Sequence, residues 1–584
     1  MYFTATLCNA RSQFWWYSSM LLNNGCPRIS DSWLGAALTI LAMLSACGGG
    51  GSAATSAMPS TPAAPTNPAT PTQPTAPTTP TASTDMVTYK NDVLRSGQNT
   101  TESVLTTTNV SASTFGLLRT LPVDGKVDAQ PLYLSSLTVG GATHNVVYVA
   151  TENDSVYAFD ADSGVQLWMV SLMASGEMTS DPHSCSQVSP QIGITSTPVI
   201  DRSAGPHGTL FTVAMSKDTS GNYHQRLHAL DVTTGAEISG SPKDISATYT
   251  GTSFSPGQYA ERAALLLTNG TIYTSWTSHC DNAPYGGWVI AYSESTLAQT
   301  GVLNVAIGAS GSGFASQGPS IWMSGGGPAA DAAGNVYVLT GNGRFETTLD
   351  SNGFPSGGDY GNSFVKISAN AGALTVADYF ALTNAVAESG NDIDLGSGGI
   401  MLLTDQTDAT GTVRHLAVGA GKDGNLYVVS RDSLGKFSPT TNNIWQELDG
   451  ALPGGIWSTP AYFNGTVYYG PSGGSLRSFS ISNALLSSSA VSQTVTQFAY
   501  PGTSPVVSAN GTANAIVWTY ENTTPAVLHA YDATNLAHEL YNSNQDANGR
   551  DNFGAGNKFI APAVADGKVF VATTGSVGVF GLLQ

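Results

Sequence analysis

Positive charge is what this chain has least of: 21 Lys and Arg stand against 40 Asp and Glu, for a formal net charge of −19. No run of Lys or Arg occurs anywhere in the sequence. Binding nucleic acid needs clustered cations to displace counterions, so nucleic acid is not an expected partner. Long apolar runs are missing too. Trp33 to Leu44 (WLGAALTILAML) is too short to span a bilayer. Cysteine is scarce, with only five in the chain, and none is spaced as a zinc site would require. Nucleophile signatures are absent as well. The Gly-Ser-Gly of IGASGSGFAS (307–316) has no strand-to-helix context, and Gly325-Gly326-Gly327 opens a strand rather than a phosphate-cradling helix. Asp392-Ile393-Asp394 begins like a calcium loop but lacks the ligands that would follow.

What is abundant is glycine, 65 residues, set among Ser, Thr and Asn between short apolar runs, the composition of an exported β-rich protein. The organising stretch is Val146 to Trp168. It reads as two alternating-apolar strands joined by a polar turn, then an Asp-Ser-Gly turn and an aromatic residue. The second strand recurs as LHALD (227), VIAYS (289), FVKIS (364), LYVVS (426), LRSFS (476), LHAYD (528) and VGVFG (577). A partner strand lies just upstream of each, and before that pair comes a small residue or Pro with an apolar run, as in STPVID (196), STPAYF (458) and APAVAD (561). Eight copies of a unit that cannot bury its own faces predict an all-β, eight-bladed β-propeller of four-stranded antiparallel blades, or seven blades if one divergent unit fails to form. The last copy ends at the C-terminus without an outer strand, so FGLLRTL (115–121) is expected to supply it and close the ring. Asn269-Gly270, Asn464-Gly465 and Asp566-Gly567 sit where tight hairpins need positive φ, and Asp423-Gly424 is read the same way one hairpin later.

Three segments are expected. Residues 1–47 read as a lipoprotein-type signal peptide, with the Trp33–Leu44 core running into Leu44-Ser45-Ala46-Cys47. This resembles a bacterial lipobox, which implies a lipid on Cys47 and a cell-envelope location. Gly48 after the Cys leans towards the outer membrane by resemblance to Gram-negative sorting. Residues 48–85 form a Pro/Thr/Ala-rich spacer without a packed core. The propeller spans 86–584.

At Ala158-Phe159-Asp160-Ala161-Asp162-Ser163-Gly164, with Trp168 four residues on, the chain resembles the PQQ-like propeller repeats of quinoprotein alcohol dehydrogenases and their non-enzymatic relatives. The family Trp docks one blade on the next. Ala229 to Gly235 and Ala530 to Asn535 match more loosely. Departures stand beside the likeness. The chain lacks the adjacent cysteine pair that such dehydrogenases bridge over their cofactor, lacks Cys-x-x-Cys-His for a c-type haem, and lacks most docking tryptophans. No cofactor is therefore predicted, neither PQQ nor calcium nor another metal, and no catalytic residue is assigned.

Cys185 and Cys280 are the two cysteines of the propeller, and in an oxidising compartment they are expected to pair. Long segments at 173–193, 216–226, 277–288, 304–324, 341–363 and 381–397 are all expected on the face that carries second-to-third-strand and interblade connections. They bring His224, Arg226, His279, Asp281, Asn282, Tyr285, Trp322, Arg344, Asp359 and Tyr360 to a candidate binding face. Two readings compete: a polar binding pocket, or loops stitched together by these same side chains. The leading functional expectation is an envelope binding or scaffolding module whose partner is a protein or glycan. An oxidoreductase on the same face is the alternative. A polysaccharide binder, with Trp322, Tyr285 and Tyr360 stacking on sugars, is third.

Overall fold

The structure is a computed structural model that describes residues 84–283, 285–308, 313–370, 372–546 and 548–584. Cys47 and almost all of the spacer lie outside the described residues. Eight antiparallel sheets follow one another around a ring. Their innermost strands begin at Leu132, Val199, Leu266, Ala329, Met401, Ala461, Val506 and Ala563, where the repeated Pro-or-small motif places them. Blade 1 is the organising stretch itself, with Ala142–Ala150 paired to Ser155–Asp160 and Gln166–Ser171 outside it. Among the described residues no helix is long and apolar enough to cross a membrane.

The ring closes as expected. Phe115–Pro122 pairs antiparallel with Ser576–Leu582 and becomes the outer strand of blade 8, so the two ends of the folded chain share one sheet. The hairpin turns follow the sequence: Asn269, Asn464 and Asp566 have φ of 50°, 45° and 50°, each followed by a glycine at 70–75°. At Asp423-Gly424 only the glycine is left-handed, at 76°. Trp168 docks blade 1 on blade 2, its Nε1 donating to the Val232 carbonyl at 3.1 Å. One expected long loop is not a loop. Residues 216–226 lie mostly in strands Thr209–Asp218 and Tyr223–Asp231, because alternating side chains extend the hairpin beyond the ring edge.

Residues 86–102, polar and without strand periodicity, do something the sequence did not announce: they strap the inside of the ring. Carbonyls of Val87, Val93, Leu94, Ser96 and Gly97 accept from the inner strands of blades 2, 4, 5, 6 and 7 at 2.8–2.9 Å, and Met86 pairs with Tyr133 of blade 1. The Glu102 carboxylate accepts from Gly567 N of blade 8 at 2.9 Å. Blade 3 is reached by Arg95, whose guanidinium donates to the Leu265 carbonyl at 3.0 Å and to the Pro328 carbonyl at 2.8 Å. Lys90 is fully buried. Its ammonium donates to the carbonyls of Thr459 (3.0 Å), Pro460 (3.2 Å) and Pro505. These carbonyls start the inner strands of blades 6 and 7, and a buried carbonyl without a donor is costly. The strap enters beside Ser135 and Arg202, held by Asp85, and leaves beside the 566–567 turn, both on the first-to-second-strand face. It plugs the channel from that side.

Glu261 is buried beside the channel, accepting from Ser196 Oγ through one oxygen while the other has no partner. Burial pushes its carboxyl well above the usual range. A carboxyl with a raised folded-state pKa contributes stability that is present below its unfolded pKa and lost as pH rises through the folded one. Glu261→Gln is therefore expected to flatten this loss: urea unfolding at pH 5 and pH 8 should differ less in the variant than in the parent protein.

Candidate functional site

On the opposite face, where the second-to-third-strand and interblade connections gather, the channel opens into a cup of about 280 Å³. Its parts come from the lead-in segments of several blades. Trp322 precedes blade 4, Trp457 blade 6, and Tyr500 blade 7, and all three line the cavity. Phe559, ahead of blade 8, ties them into an arc: Trp322–Phe559 ring centroids are 5.5 Å apart, Phe559–Tyr500 6.5 Å and Trp457–Tyr500 5.2 Å, all edge-to-face. Beneath Phe559 lies Arg262, its guanidinium carbon 5.1 Å from the ring centroid and its charge paired with Asp128 at 3.5 Å.

The polar wall is built from blades 3, 4 and 5. Lys422, just ahead of the Asp423-Gly424 turn, places its ammonium 2.7 Å from both Asp392 Oδ1 and Asp394 Oδ2. Burial alone would lower the Lys422 pKa, but the Asp394 and Asp392 carboxylates outweigh it and raise it, so the side chain is a fixed cation. Asn342 donates from Nδ2 to Asp392 at 2.8 Å. Burial raises the Asp394 carboxyl, an effect that Lys422 opposes. Asp281 accepts from the Tyr285 hydroxyl at 3.0 Å, and its carboxyl too is raised by burial.

The Cys185–Cys280 disulfide is formed, joins loops 95 residues apart and lines the same cavity. Beside it the rings of His183 and His279 stack with centroids 4.0 Å apart. Burial, then the neighbouring His183, lowers the His279 pKa to about 4. His279 is therefore neutral at physiological pH. Its Nε2 is buried without a hydrogen-bond partner in the wall of the cup.

Of the residues expected on the binding face, His279, Asp281 and Trp322 line the cup. The others serve the loops around it. Arg226 forms a bidentate pair with Glu177 at 2.7 and 2.8 Å, with His224 3.8 Å from the same carboxylate, on the outer part of blade 2. Asn282 donates to the His183 carbonyl and accepts from Gln258. Arg344 bonds Asp359 at 3.1 Å, Glu346 at 2.8 Å and the Gly308 carbonyl at 2.8 Å, closing one long loop on another. Tyr285 and Tyr360 are only 5% and 6% exposed, so neither ring is free to stack on a sugar.

Sequence reasoning missed Arg262, Asn342, Lys422, Trp457 and Tyr500. One signal was present. Trp457 stands immediately before Ser458-Thr459-Pro460, and Thr195 before Ser196-Thr197-Pro198, so the residue ahead of each such motif faces the mouth of the channel.

A divalent cation does not fit this cup as it stands. The two carboxylates that converge are bridged by the Lys422 ammonium. Among the described residues no three of His, Cys, Asp and Glu are grouped to hold a metal.

No family model matches the sequence, and no curated protein matches it. Solved structures do match. The quinohemoprotein alcohol dehydrogenase of Comamonas testosteroni superposes with a TM-score of 0.56 at 16% identity, covering 85% of this chain and 80% of that one. The quinohemoprotein alcohol dehydrogenase ADHIIG of Pseudomonas putida HK5 gives 0.57 at 14% identity, over 85% and 80%. A europium-containing methanol dehydrogenase gives 0.52 at 12%, over 85% of this chain and 98% of its own. At these identities the likeness establishes the fold alone: an eight-bladed β-propeller like that of these dehydrogenases.

Proposed function

We propose that this chain is a binding module of the cell envelope, and that the cup takes one saccharide unit of an envelope glycan. The observation that carries the reading is the division of the cup into two walls. Trp322, Trp457 and Tyr500 offer flat apolar surface, with Tyr500 45% exposed. Facing them are a fixed ammonium and carboxylates, with His279 in the same wall. A sugar ring has one apolar face and a rim of hydroxyls that both donate and accept, which is the complement of such a pair of walls. A lipid on Cys47 would hold the module at the outer membrane. Asp85 lies on the face opposite the cup.

The test is titration of the full-length protein with a panel of neutral and acidic mono- and oligosaccharides, followed by tryptophan fluorescence. Saturable binding is expected, lost at least about tenfold in Trp457→Ala because stacked aromatic surface carries much of such affinity. No saturable response from any saccharide, with the protein folded, would sink this reading.

A second reading is an oxidoreductase with a quinone cofactor in the same cup. It draws on the activities of the dehydrogenases that share the fold and on the tryptophan and disulfide in the cup wall. Against it stands Lys422 between the carboxylates.

A further inference from the structure

One wall of the cup is the tip of the first interblade loop, which contributes Cys185, Gln187 and Val188. The root of this loop is firmly held. Glu177–Thr179 pairs with 216–218, Ser180 bridges Ile192, and Asp181 accepts from Lys217 Nζ and Tyr223 Oη at 2.7 Å each. Between Pro182 and Pro190 the polar ties across to other segments are few: a 3.4 Å hydrogen bond from Asn282 to the His183 carbonyl and a 3.4 Å bond from Lys558 to Gln187. Apolar contacts add to these: the His183 ring lies against His279 and Tyr223, with centroids 4.0 and 4.5 Å apart, and Val188 packs on Ile192, Met215 and Tyr223. The covalent tie is the Cys185–Cys280 disulfide. Cys280 is exposed, whereas Cys185 is 6% exposed.

We propose that Cys185–Cys280 is a thiol–disulfide exchange site that latches this wall of the cup, and that its reduction frees residues 183–189 while the ring stays folded. The reductant is a dithiol, as carried by envelope disulfide oxidoreductases. Its thiolate attacks Sγ of Cys280, the more exposed residue of the pair, the S–S bond breaks, and Cys185 leaves as a thiolate that takes up a proton. The second thiol of the reductant loses its proton and displaces Cys280, which leaves as a thiol. Two electrons and two protons pass to the protein, and the reductant ends as a disulfide. Access decides which sulfur is attacked, and local hydrogen bonding decides how far the opening spreads. Here both point to a small opening between two prolines.

The experiment is hydrogen exchange with mass spectrometry on the full-length protein, with and without dithiothreitol, with free thiols counted in the native state. Two thiols are expected to appear without unfolding, and exchange in peptides covering 183–189 is expected to quicken at least about tenfold. Peptides of strands Thr209–Asp218 and Trp288–Ser293 should be unchanged. Cys280→Ser should show the same local quickening without reductant. A disulfide that dithiothreitol cannot reduce until the protein unfolds would overturn the proposal. So would exchange that rises throughout blades 2 and 3, because the bond would then be a structural staple.

Discussion

Phe115→Ala is expected to lower the unfolding free energy by about 3–5 kcal/mol, the range for deleting a buried aromatic ring. Phe115 is fully buried, with its ring 4.9 Å from Tyr541, 5.3 Å from Trp518 and 6.3 Å from Phe580. Those partners belong to blades 7 and 8, so the side chain pins the closing strand to both sheets. The loss should fall at closure. Urea unfolding followed by hydrogen exchange should show blade 8 opening at lower urea than blades 3 to 5. A neutral Phe115→Ala would mean that the C-terminal blade holds without its outer strand.

The second large effect is expected at Lys90. Lys90→Met keeps the apolar stem but leaves three buried carbonyls without their donor, at about 1–3 kcal/mol for each group left bare. Relief from burying a charge offsets part of that. Burial holds the Lys90 pKa well below its ordinary value, opposed by Asp92. The unfolded chain therefore binds more protons than the folded one between the depressed pKa and about 10.4, and stability contributed by this group rises with pH across that window. The check is the pH slope of unfolding free energy from neutrality to pH 10: steeper in the parent protein than in Lys90→Met. Equal slopes would show that the strap carries no titrating lysine there.

The ring was legible because its signal is repetitive and local. Eight copies of one strand pattern fix eight blades, and a last copy without an outer strand forces Phe115–Pro122 into place. The strap was not legible, since Tyr89 to Asn99 carries no period two, and its Ser96-Gly97 turn signal says nothing of what the turn packs against. Its hydrogen bonds are made one blade at a time, to residues hundreds of positions away. The cup was half legible. Length drew attention to the loops of His279, Asp281 and Trp322. Lys422 and Trp457 sit in short segments whose lengths give no sign of their position. Arg344, Asp359 and Tyr360 have the same residue types as a binding site, but the first two pair with each other and Tyr360 packs on Tyr379, which composition alone cannot distinguish.

In our reading the cup is a ligand site whose paired carboxylates are bridged by the Lys422 ammonium rather than by a metal ion. Thermal unfolding of the full-length protein, with and without calcium and PQQ, tests it most directly, since a ligand of the folded state must raise the midpoint. No shift is expected with calcium, PQQ or both. In Lys422→Met, where Asp392 and Asp394 lose their ammonium, a rise with calcium is expected. A concentration-dependent rise in the unaltered protein would contradict this reading and put the quinone-dependent oxidoreductase first.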